Sequence, residues 1–269
     1  MKSIVSIFLA AVLVYLMILL LMFLFQNRLL FMPSSGIIAE PGHAGLQAED
    51  LWIDTSDGLR LHSWYFPNDE TEFVVVLSHG NAGNISGRIA IAETLIRSGA
   101  SVLMYDYRGY GRSGGRPSEK GFYRDIEAVT KALMSEKGYS EKQIVMYGRS
   151  LGGAVAAYAA TRFAVGGLVL DSAFLNLREM VRDVYPFVPS RLARYEFPTD
   201  QYLSRIHEVP VMIIHSRQDE IVPFRHAERL YEMTGEPRKF TETAGGHNHH
   251  FFTSRELIEQ SWREYLQGL

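Results

Sequence analysis

The chain has 269 residues, with 27 Lys and Arg against 30 Asp and Glu for a formal charge of −3, no Cys, 47% hydrophobic residues and a mean hydropathy of −0.04. Such a composition excludes a disordered, fibrous or nucleic-acid-steered chain. Without Cys there is no disulfide framework, thiolate zinc site or Cys nucleophile.

The near-zero mean hides a divided chain, because residues 3–27 carry no charged side chain. Within 4–25 only Ser6 and Tyr15 are polar, and at about 1.5 Å per residue a helix over this run spans the roughly 30 Å of a hydrocarbon core. A cleaved signal peptide would have a shorter apolar region followed by a small-x-small site, and Gln26-Asn27-Arg28-Leu29-Leu30-Phe31 offers none. The expectation is an uncleaved membrane anchor over 1–28. Lys2 and the α-amine precede it, and Arg28 is the last Lys or Arg before Arg60; that bias favours an inside N terminus and a body on the extracytoplasmic side. Residues 29–47, with Met32-Pro33-Ser34-Ser35-Gly36 and Pro41-Gly42-His43-Ala44-Gly45, read as a linker rich in turn formers.

From residue 48 short β-branched runs alternate with helical patterns, which predicts an α/β domain with a mostly parallel eight-stranded sheet and helices on both faces. The predicted strands are 51–55, 59–66, 73–78, 102–106, 143–147, 167–171, 211–215 and 238–242, the first two a hairpin about Asp57-Gly58. Predicted helices are 85–98, 119–137, 151–162, 224–234 and 254–267. Such a sheet carries its site beyond the carboxyl ends of its strands.

Gly148-Arg149-Ser150-Leu151-Gly152 matches G-x-S-x-G between a strand and a small-residue helix, the context in which a serine caps a strained turn and projects into a cleft. A serine nucleophile needs a base, and the base needs an acid to orient it. Asp219 and His247 each fall just past a predicted strand, in the order Ser, acid, His; Asp171 and Glu220 compete for the acid, and His249 and His250 for the base. The oxyanion donors are assigned to the backbone N–H groups of Leu151 and Asn81, with Ala82 as the alternative to Asn81. Activity is expected to rise with pH as the imidazole base loses its proton. The cluster His247-Asn248-His249-His250 lacks an i, i+4 helical pair and is not read as a metal site, and no cofactor is implied. Gly109-Tyr110-Gly111-Arg112-Ser113-Gly114 fits G-x-G-x-x-G, but Gly115, Arg116 and Pro117 prolong the loop where a dinucleotide fold would open a helix.

With these residues in place the chain resembles the serine-hydrolase branch of the α/β-hydrolase superfamily over about 48–267. The segment from Asp106 to Ser113 resembles that superfamily's loop after the fourth strand. The apolar start, His79-Gly80-Asn81-Ala82-Gly83, Gly148-Arg149-Ser150-Leu151-Gly152-Gly153 and Asp171-Ser172-Ala173-Phe174 are together similar to membrane-associated abhydrolase-domain proteins. The resemblance implies esterase, lysophospholipase, monoacylglycerol lipase or acyl-protein thioesterase activity, and a cap after the sixth strand. That cap falls at about 172–209, where Phe174, Tyr185, Phe187, Tyr195 and Phe197 gather as a small lid over an acyl pocket. Where the family often has Gly-His-Asn-Asp, this chain has Gly246-His247-Asn248-His249. The partner expected is an acyl ester or lipid, together with the membrane and no nucleic acid. An acyl-thioester hydrolase or amidase shares the same acyl-enzyme step, and a non-catalytic membrane-tethered binding protein is the alternative outside enzymes.

Overall fold

The computed structural model describes residues 2–269; Met1, whose α-amine enters the charge bias, lies outside them. Eight strands form one sheet: β1 Glu49–Asp54, β2 Arg60–Phe66, β3 Val74–Ser78, β4 Ser101–Tyr105, β5 Ile144–Arg149, β6 Gly167–Asp171, β7 Val211–Ser216 and β8 Arg238–Thr243. Their order is β8-β7-β6-β5-β3-β4-β2-β1. β2 runs antiparallel to both of its neighbours and every other pairing is parallel. Each strand ends within two residues of its predicted limit.

The period-two rule explains the layering. Val74 and Val76 of β3, with Ile144 and Met146 of β5, face one core, and Val75, Leu77, Val145 and Tyr147 face the other. The first core is closed by α4 (Glu119–Glu136), α5 (Gly152–Arg162) and α8 (Arg225–Met233), the second by α3 (Ile89–Arg97) and α9 (Arg255–Gln267). The Gly-rich loop at 109–114 opens no helix. α4 starts only at Glu119, with Ser118 Oγ accepting from Gly121 N–H at 3.2 Å. A Cβ at Gly111 would lie 1.8 Å from Asp106 Oδ2, so the glycine there lets the loop close over a buried carboxylate.

Before the domain lie α1 (Lys2–Leu24) and α2 (Gln26–Leu30). α1 contains one apolar helix, Ser3–Leu24, long enough to cross a membrane. The segment after it is not a free linker, as its turn formers suggested. Phe31 is buried against Phe122 and Tyr195, with ring centroids 5.2 Å away in each case, a burial worth about 2 kcal/mol. Met32–Pro33 pairs in parallel with Ala82–Gly83, and Asn84 Nδ2 donates to Ser34 O and Gly36 O at 2.9 and 2.8 Å. Between β6 and β7 the chain makes the expected excursion, carrying α6 (Leu177–Val184) and α7 (Thr199–Leu203). Its aromatics divide: Phe197 is in the core beside Phe31 and Phe122, whereas Phe187 is exposed.

Candidate active site

Ser150 follows β5 directly at φ 52°, in the left-handed region that costs a non-glycine residue about 1 kcal/mol or more. Its N–H donates to Asp171 O at 2.8 Å, which fixes the turn to the neighbouring strand end. A Cβ at Gly148 would come 2.3 Å from Gly152 O, and one at Gly152 would come 2.0 Å from Ser78 O. Both glycines of the motif are therefore demanded by packing, since strand, turn and helix meet there with no room for a methyl group.

Asp219 and His247 are joined. His247 Nδ1 lies 2.7 Å from Asp219 Oδ2, and Ile221 and Val222 N–H donate to Oδ1 at 2.9 and 2.8 Å. The carboxylate can only accept, so Nδ1 carries the proton and Nε2 is left as the basic nitrogen. Burial by itself would raise the carboxyl. The His247 hydrogen bond and charge, with the Val222 N–H, outweigh it and hold Asp219 below the ordinary carboxylate range. Relative to an unfolded value of about 3.9 this depression stabilises the fold above roughly pH 4, and the stabilisation is lost as pH falls through the folded value. Asp219→Asn should accordingly melt below the wild type at pH 7, with the gap closing toward pH 3; a gap independent of pH would contradict the carboxylate's role.

The rival residues have other partners. Asp171 and His250 are both buried, with His250 Nε2 3.2 Å from Asp171 Oδ1 and Tyr147 OH donating to Oδ2 at 2.6 Å. Against burial, which raises it, His250, Arg149 and Tyr147 hold Asp171 below the ordinary carboxylate range. Glu220 accepts from His247 N–H at 2.9 Å and fills the space a Gly246 side chain would need. Gly245, at φ 101°, supplies the positive angle that swings His247 in from β8. His249 is exposed. His215 sits behind the acid, buried, with Nε2 2.9 Å from Val222 O; burial depresses its basicity, so it supports the 219–222 turn as a neutral group.

A cavity of about 310 Å³ brings Ser150, His247, Leu151 and Asn81 together. Leu151 and Asn81 N–H have no backbone acceptor among the described residues. Asn81 is pinned from three directions: its Nδ2 donates to Leu30 O at 3.0 Å, and its carbonyl accepts from Met32 N–H at 3.0 Å and Tyr110 OH at 2.8 Å. Phe174, Leu177, Met180, Ile221 and Val222 give the cavity an apolar wall, and Leu30 and Met32 complete it. Sequence reasoning missed these last two by treating 29–47 as linker; the apolar quartet Leu29-Leu30-Phe31-Met32 was the signal that could have found them. It also missed two cationic lining residues. Arg149 Nη2 donates to His247 O at 2.7 Å, holding that residue's backbone from behind. Arg88 Nη2 donates to Ala82 O at 3.0 Å.

Fold and site together define an α/β hydrolase, and the chain belongs to that family. The serine aminopeptidase, S33 family pattern matches residues 69–199. The α/β-hydrolase domain-containing protein WAV2 of Arabidopsis thaliana is 31% identical over 232 residues, covering 77% of this chain and 75% of its own. A protein of Saccharomyces cerevisiae described as an uncharacterized membrane protein is 35% identical, covering 83% of each chain. In fold the chain is similar to an esterase of Pyrococcus furiosus, with TM-score 0.74 and 22% identity over 88% of this chain and 98% of that one.

Proposed function

We propose that the protein is a membrane-anchored serine hydrolase that cleaves carboxylic esters of acyl or lipid-like substrates, with the body on the extracytoplasmic side. The observation that carries this reading is the convergence on one cavity of a serine at φ 52° and an Asp219–His247 pair at 2.7 Å. Ser150 Oγ attacks the ester carbonyl while His247 Nε2 takes its proton, and Asp219 stabilises the imidazolium. The tetrahedral oxyanion accepts from Leu151 and Asn81 N–H. Collapse breaks the C–O bond, His247 protonates the leaving alcohol, and an acyl-enzyme remains. Water, deprotonated by the same nitrogen, then releases the acid and restores Ser150. The apolar wall from Phe174 to Met180 suits the acyl portion, since each buried methylene is worth about 0.8 kcal/mol. A thioester or amide would form the same acyl-enzyme.

The test is an acyl-chain series of p-nitrophenyl esters, run with the full-length protein and set against a lysophospholipid and a monoacylglycerol. Turnover is expected to rise with chain length. Release no faster than a Ser150→Ala blank on every substrate would overturn the reading.

A further inference from the structure

The cavity at Ser150 adjoins a second one. A groove of about 250 Å³ lies between the N-terminal helices and the cap, walled by Leu19, Met22 and Leu29 on one side and Val181, Val188 and Leu192 on the other. Leu30 and Leu177 line both cavities. The partly covered positions of α1 and α2 at this seam are Leu19, Met22, Gln26 and Leu30. Their spacing of three or four puts them on one helical face, turned to the cap.

The seam is fastened by polar contacts. Tyr15 OH donates to Phe187 O at 2.7 Å, Gln26 Nε2 donates to Leu192 O at 2.7 Å, and Arg194 N–H donates to Gln26 Oε1 at 2.8 Å. The Arg194 guanidinium lies 5.5 Å from the Phe23 ring centroid. Tyr15 is nine residues before Leu24, the end of α1, which is about 13 Å along the helix axis. With α1 across a bilayer, the cap tip that touches Tyr15 reaches well into the leaflet on the body's side. Its surface fits that position, because Val184, Tyr185 and Phe187 are 45%, 43% and 57% exposed. At that depth the neighbours of the groove's outer end are acyl chains, and its inner end meets the cavity of Ser150.

We infer that the seam between the N-terminal helices and the cap is a lateral port. The acyl chain of a membrane-embedded ester passes through it to Ser150 without leaving the bilayer. The inference rests on the reading of Ser150 as nucleophile and of α1 as a membrane span. It makes the substrate a bilayer lipid rather than a dissolved ester, and gives the anchor a part in binding.

The full-length protein in phosphatidylcholine vesicles tests it, with p-nitrophenyl palmitate in the vesicles and p-nitrophenyl acetate in the water. Ala193→Trp, which fills the groove, should lower the palmitate-to-acetate ratio of kcat/KM at least tenfold. Leu13→Trp, on the exposed side of α1, should leave both rates unchanged. A ratio that Ala193→Trp does not move, or a matching loss with Leu13→Trp, overturns the port. Should the wild type hydrolyse neither ester, or Ser150→Ala retain activity, the catalytic reading fails and the port is judged by binding alone. In Ser150→Ala protein a diazirine-bearing palmitoyl lipid should then label the groove-lining Leu177, Val181 or Leu192, located residue by residue apart from the exposed cap tip, and Ala193→Trp should cut that labelling at least fivefold. Label confined to the exposed face of α1, or undiminished by the tryptophan, overturns the port independently of catalysis.

Discussion

Ser150→Ala is expected to lower kcat for ester hydrolysis by at least about ten-thousandfold, and adding His247→Ala should lower it little further. On the proposed reading the two side chains act in one proton transfer: without Oγ there is nothing for Nε2 to deprotonate, and without the imidazole the hydroxyl stays a weak nucleophile. Losses that multiplied in the double variant would mean that the residues act independently. The fold should survive the first change, because Ser150 sits partly exposed at the cavity and its backbone bond to Asp171 O does not involve the side chain. Circular dichroism of the variant checks that point.

Gly152→Ala is expected to damage the fold itself. The added methyl would stand 2.0 Å from Ser78 O and 2.7 Å from His79 O. The first is a backbone atom of β3, which Val74–Ser78 pairing with β5 holds in place, and the second belongs to the next residue, so neither can rotate away as a side-chain tip could. Overpacking against fixed backbone costs about 3 kcal/mol or more, which for a domain of this size lowers Tm by roughly 10 °C. Thermal unfolding of the variant measures it, and Gly42→Ala, where a Cβ would meet nothing within 4 Å, is the matched control expected to stay near the wild type.

The centre of the sheet was legible because its strands are buried on both faces. Val74-Val75-Val76-Leu77 and Val211-Met212-Ile213-Ile214 have no polar alternation to confuse with a surface helix. The candidate triad was legible because each member follows a strand of that pattern, and steric demand at Gly148 and Gly152 leaves a mark that sequence preserves. Other features depend on partners remote in the chain. The turn formers at 33–45 gave the local signal of a linker, whereas the pairing of Met32–Pro33 with Ala82–Gly83 and the burial of Phe31 are tertiary. Asp171 and His250 competed as candidates on local grounds, and only their mutual burial removes them from the cavity. Neither the positive φ of Ser172, 49°, nor that of Phe197, 39°, has a glycine to announce it.

Ser150 as the proposed nucleophile has a direct chemical signature. The most direct measurement is treatment of the full-length protein with a fluorophosphonate, followed by mass spectrometry of its peptides. One adduct per chain is expected, on Ser150, strongly diminished in His247→Ala; a protein left unlabelled, or labelled at another residue, would contradict that role for Ser150.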